Sequence, residues 1–149
     1  MTEMGKKHLE EEDYEKSFEY FTKAAELGDV AAHSCLGTLY RNGRGVEKDE
    51  KKAVYHWEQA SIGGHTQARG ILALHEKDYC GRFETAARHY IINANLGCNT
   101  ALKFIKVLFI QGIVSKDDYA AALRGYQAAV DATKSAERDK AEEARYIWG

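Results

Sequence analysis

The sequence predicts an all-α fold, an α-solenoid built from antiparallel helix pairs in three to four units. Three observations carry this reading. A glycine-anchored repeat runs along the chain, the apolar residues inside each unit follow helical spacing, and proline is absent. Without proline no helix is broken by a missing N–H and a ring clash, so the thirteen glycines must supply the punctuation.

The repeat appears when the chain is aligned on Gly28, Gly64 and Gly97, the second interval being slightly shorter than the first. Four residues after each comes Ala32, Ala68 and Ala101, and eight after each comes Leu36, Leu72 and Ile105. Seven before each comes Phe21, Trp57 and Tyr90, and eleven before each comes Ser17, Ala53 and Ala86. A fourth copy follows at a constant offset, the sum of the two intervals: Gly43 pairs with Gly112, Asp49 with Asp118, Ala53 with Ala122, Trp57 with Tyr126 and Ala60 with Ala129. This copy ends without the glycine. Internal repeats with periods of roughly 20–50 residues mark solenoids and arrays.

Within a unit, Ala32, Leu36 and Tyr40 recur every fourth residue, and Ala53, Trp57, Ala60 and Gly64 follow the same face of a 3.6-residue helix. Each unit is therefore a pair, an A helix and a B helix. Small residues let helices approach, one large aromatic per B helix fills the space, and the glycine is the αL terminator. In chain order, a polar helix is expected over 2–11 and B helices over 14–27, 49–62, 83–96 and 116–132. A helices are expected over 30–42, 66–77 and 99–111, and a last helix from an N-cap at Ser135 to about Tyr146. The shorter second interval is absorbed in a tighter A-to-B turn, around Asp78 to Arg82. The expected continuous apolar seam runs through Phe21, Trp57, Tyr90 and Tyr126.

One stretch resembles a known family, the Sel-1-like repeats, relatives of the tetratricopeptide repeat. It runs Ala32-x3-Leu36-Gly37-x2-Tyr40-x2-Gly43-x-Gly45-Val46-x2-Asp49-x2-Lys52-Ala53-x3-Trp57-x2-Ala60 and ends at Gly64-His65. The later units are looser, with Glu76 in place of Tyr40 and Lys106 in place of Gly37. The resemblance covers about residues 14–133. It implies a right-handed solenoid with the A helices on the concave side, roles as adaptors and scaffolds, and no shared catalytic residues. Cysteine pairs in each repeat, found in some secreted members, are absent. One domain over 1–149 is expected: a partial first repeat (1–28), units at 29–64, 65–97 and 98–133, and a C-terminal capping helix (134–149).

Composition narrows the function. The chain has 149 residues, the size of one domain. A net charge of −2 gives no electrostatic reason to bind nucleic acid. No apolar run approaches the roughly 18 residues of a membrane span, and the polar start MTEMGKKHLEEED does not read as a signal peptide. Three unpatterned cysteines, Cys35, Cys80 and Cys98, read as reduced side chains. A cytoplasmic or other soluble intracellular location is the expectation.

Chemical motifs are weighed against plain structural ones. Gly43-Arg44-Gly45 lacks the preceding strand and the Lys-Ser/Thr continuation of a phosphate loop. It reads instead as a positive-φ connection, with Val46 inward and Asp49 starting a helix. His56 and His89 share a repeat position, but no i, i+4 histidine pair or Cys-x2-Cys provides a metal-ligand set. No Gly-x-Ser-x-Gly or Ser-x-x-Lys nucleophile motif occurs. No enzyme, cofactor, metal or small-molecule substrate is expected.

The candidate working surface is the A-helix face beside the seam: His33, Arg41, Arg69, Lys77, Lys103 and Lys106, with Tyr40 and Phe109 as aromatic lining. Its basic bias points to an acidic peptide or protein as partner, against the plainer reading of a solvated helix face. The competing function is a self-associating structural module, such as a regulatory subunit in protein quality control. Tyr146, Ile147 and Trp148 either fold back as a cap over the last repeat or project as an anchor for a partner.

Overall fold

The computed structural model describes residues 1–148, with side chains through Ile147. Eight helices and no strand occur among the described residues: α1 (Thr2–Glu10), α2 (Tyr14–Glu26), α3 (Val30–Asn42), α4 (Glu50–Ile62), α5 (Thr66–Asp78), α6 (Phe83–Asn95), α7 (Asn99–Ile110) and α8 (Lys116–Trp148). The helices α1, α3, α5 and α7 are A helices; the others are B helices.

Local chemistry fixes the ends. Asp13, Asp29 and Asp49 each accept a hydrogen bond from the backbone N–H three residues on, satisfying an orphan donor of the first turn. His65 Nδ1 and Ser115 Oγ do the same for α5 and α8. At the other end, Gly28, Gly64 and Gly97 share one conformation, each with φ +88°. The residue after each donates back to the carbonyl five positions earlier: Asp29 to Ala24, His65 to Ala60 and Cys98 to Asn93, all at 3.0 Å. This is the Schellman closure, and it needs a residue that tolerates positive φ. The expected shortening is also present. The connection from α3 to α4 spans 43–49, whereas that from α5 to α6 spans only 79–82.

Two compact units divide the chain, Met1–His75 and one that begins at Glu76. In the first, α1 packs on α2, α2 on α3, and α3 on α4. Phe21 is 0% exposed among Ala24, Ala32, Leu36 and Leu39. Trp57 is 1% exposed among Ala53, Ala60, Ala68 and Leu72. Each ring lies on a glycine of an A helix. A Cβ at Gly5 would sit 2.7 Å from Phe21, and one at Gly37 would sit 2.4 Å from Trp57. Buried Ser17 donates to the carbonyls of Gly5 and Asp13, tying α2 to α1.

In the second unit, α6 packs on α7 and both pack on α8. Tyr90 is buried at 2% exposure, with Ala86, Ala94, Ala101, Ile105, Leu108 and Ala122 also buried. Two expectations are corrected here. Tyr126, the fourth ring of the seam, is only half-buried. The glycine that receives the ring in the first unit is replaced on α7 by Lys106, which is exposed. Nor does a separate helix begin at Ser135, because α8 continues unbroken to Trp148. The position in register with Gly64 and Gly97 is Thr133, whose hydroxyl donates to the Ala129 carbonyl inside the helix. Ser135 accepts from Arg138 within the same helix and caps nothing.

The N-terminal half of α8 covers α6 and α7, while residues 131–147 are exposed throughout. Tyr146 is 93% and Ile147 63% exposed, so these two do not fold back as a cap. The Trp148 side chain and Gly149 lie outside the described residues.

Candidate functional site

The A helices carry a second set of side chains beside the seam, and these line a cavity in each unit. In the first unit the cavity has about 350 Å³. Ser34, Thr38 and Asn42 line it along one row of α3, with Cys35 and Leu39 on the adjacent row. Leu9 of α1, Tyr14 at the start of α2 and Arg44 of the loop after α3 complete it. Burial raises the pKa of the Cys35 thiol, keeping it protonated.

The second unit holds a cavity of about 300 Å³. Its lining includes Phe83, Phe104, Val107, Leu108 and Gln111. In the register that pairs Trp57 with Tyr126, these are the counterparts of Tyr14, Cys35, Thr38, Leu39 and Asn42 in the first cavity. The two cavities are thus one feature of the repeat, written twice with different side chains. In the second, Tyr90 stacks on Phe104 at 4.8 Å, and Lys77 stands at the rim, 3.5 Å from Asp78. The Tyr90 hydroxyl is buried with no hydrogen-bond partner among the described residues. Burial, and then the charge of Asp78, push its pKa up to about 12.

The residues expected to form the working surface divide into three groups. Several are committed to the fold. Arg69 donates to the Ser61 carbonyl at 2.7 Å, Arg41 lies over the Trp57 ring at 5.5 Å, and Phe109 stacks on Tyr119 at 4.9 Å. His33 and Tyr40 join a cluster with His56. His33 Nδ1 and His56 Nδ1 are 3.0 Å apart, and Tyr40 stacks on His56 at 5.5 Å while meeting Phe18 edge-on. Lys77 lines the second cavity, and Lys103 and Lys106 are exposed on α7.

The histidine pair shares a single hydrogen bond, so one Nδ1 donates and the other accepts. Burial first, and then His33, lower the pKa of His56 to about 4; burial also lowers that of His33. No group of three or more His, Cys, Asp or Glu residues arranged for a metal ion occurs among the described residues.

The sequence reading did not name Leu9, Tyr14, Cys35 and Arg44 as cavity-lining residues. The signal was available: the register that relates the seam positions relates the cavity positions too.

The geometry defines a helix-pair repeat protein whose A helices present a cavity beside the packed seam. More narrowly, the Sel1 repeat family model matches residues 1–29 and 31–65, within the first unit. Two solved structures share its fold. One is a Sel1 repeat protein from Oxalobacter formigenes, with a TM-score of 0.72 and 24% identity over 88% of this chain and 55% of that one. The other is a protective antigen of uropathogenic Escherichia coli strains displaying an SLR fold, with a TM-score of 0.68 and 23% identity over 87% of this chain and 29% of that one. This chain therefore spans about half of the first and under a third of the second. Sel1 repeat proteins are generally non-catalytic helical repeat modules, and such repeats suggest protein partners. No described helix is long and apolar enough to cross a membrane.

Proposed function

We propose that this chain is a non-catalytic protein–protein interaction module, an adaptor or scaffold that binds a peptide segment of its partner on the A-helix face. The observation that carries this reading is the recurrent cavity. Seam positions hold a large aromatic from repeat to repeat, as packing requires. Cavity positions keep their place but change chemistry, from Cys35 to Phe104 and from Thr38 to Val107.

In this reading the repeat units run 29–64, 65–97 and 98–133 within one domain, and Lys77, Lys103 and Lys106 flank the bound segment.

The test is selection of binders from a random octapeptide phage library on the immobilised chain. Thr38→Trp and Val107→Trp each fill one cavity from its wall. Recovered peptides should lose binding to at least one of the two variants while their circular dichroism and melting temperature stay unchanged. Failure to recover any peptide, or peptides indifferent to both variants, would overturn the reading.

A self-associating module is the second reading, favoured by the exposed C-terminal half of α8 ending in Tyr146 and Ile147. Light scattering over a hundred-fold concentration range decides it. A growing mass that deletion of residues 146–149 abolishes would support self-association.

A further inference from the structure

We infer that the cavity of the first unit is a receptor for an acidic peptide, one that lays an apolar side chain against Leu9 and Tyr14 and sets a neighbouring carboxylate on Arg44. This deepens the interaction reading above and rests on it.

Arg44 is the one charged residue that lines this cavity. Its guanidinium lies over the Tyr14 ring at 5.0 Å, and Nη1 donates to the Tyr14 hydroxyl at 3.3 Å. Among the described residues it makes no ion pair with a carboxylate. An exposed arginine held by its face and one N–H leaves the rest of its planar fork open, and that fork matches a carboxylate in two parallel hydrogen bonds.

The loop around Arg44 is built for this placement. Gly43 and Gly45 both have positive φ, at +65° and +70°. A Cβ on Gly45 would stand 2.2 Å from the Tyr14 carbonyl oxygen, so only glycine lets the loop press against the start of α2. The Arg44 amide donates to the Leu39 carbonyl at 3.1 Å. The arginine is thus fixed at the cavity rim before any partner arrives, which reduces the ordering cost of binding. The remaining lining residues are uncharged.

The experiment uses the full chain and three fluorescein-labelled octapeptides on a Gly-Ser background: one with Leu and Glu two residues apart, one with Leu and Gln, and one with Ala and Glu. Anisotropy at low salt should rank the Leu–Glu peptide tightest, about five- to ten-fold over Leu–Gln. Arg44→Gln should erase that ratio and keep the preference for Leu over Ala. Thr38→Trp should remove binding of all three. In a Cys80→Ser/Cys98→Ser background, the Leu–Glu peptide should slow alkylation of Cys35, which places it in this cavity.

Equal affinity for the Leu–Glu and Leu–Gln peptides overturns the inference. So does a Glu preference that survives Arg44→Gln, or Cys35 alkylation that no peptide slows. If phage-selected peptides still bind while these three do not, the acidic assignment fails and the interaction module stands. If neither set binds, both fail.

Discussion

The pair α3–α4 and the pair α7–α8 are written in the same register, yet they pack differently. In the first, Gly37 receives Trp57 and Gly64 ends the helix. In the second, Lys106 stands in the glycine's place, Tyr126 is left half-buried, and α8 runs on to Trp148 because Thr133 does not end it. In the first unit each B-helix ring sits where the A helix carries a glycine, and Trp57 is also covered by Ala68 and Leu72 of the following helix. Tyr126 has neither the glycine nor a following A helix, and its ring is left half-buried.

Breaking the tight pair should have the largest effect. Trp57→Ala removes a fully buried indole and should cost about 3–5 kcal/mol in urea denaturation. Tyr126→Ala, at the same register, should cost about 1–2 kcal/mol. Equal losses would mean the two seams are alike.

The gap can be tested next. Gly37→Ala forces a Cβ against the Trp57 ring, and the resulting strain outweighs the helix propensity that alanine adds. A net loss of about 1–2 kcal/mol should follow, whereas Lys106→Ala should change stability by less than about 0.5 kcal/mol. A stabilised Gly37→Ala would show that the ring moves aside at no cost.

Acid should weaken the first pair through its histidines. His56 has an ordinary pKa of 6.5 and a folded value of about 4. The unfolded chain therefore takes up a proton as pH falls below 6.5, and the native chain resists until about 4. Stability is full above that window and declines through it. Discounted for partial exposure, the loss is about 1–2 kcal/mol by pH 4. Protonation of both rings would set two donors face to face across the 3.0 Å gap. Melting temperatures of wild type and His56→Phe between pH 7 and 4 check this, and parallel curves would dismiss the pair as the cause.

The smallest effect concerns the end of α8. Thr133→Gly should cost roughly 0.5 kcal/mol in helix propensity and should speed amide exchange beyond residue 133. Unaltered exchange there would show that missing neighbours, not a missing glycine, set the helix length.

Much of this was legible in the sequence. The helices other than α8 begin and end within two residues of the spacing, because glycines and aspartates at the helix ends leave local marks. The tight turn at 79–82 followed from the shorter interval between Gly64 and Gly97. Phe21, Trp57 and Tyr90 were identifiable as core from periodicity alone. The site was less legible. Arg41 and Arg69 are basic and lie on the A helices, but one covers an indole and the other binds a carbonyl. Charge and position along a helix do not reveal such commitments. The meeting of His33 with His56 depends on how two helices cross, which no spacing within one helix records.

The loop after α3 has a wider consequence. Residues 43–49 can carry Gly43-Arg44-Gly45, whereas the shorter turn at 79–82 has no room for a comparable excursion. The longer connector thus places one charged side chain at a cavity whose other walls come mostly from α3. Exchanging one connector for another would change the charge at the cavity rim while the packing residues stay as they are.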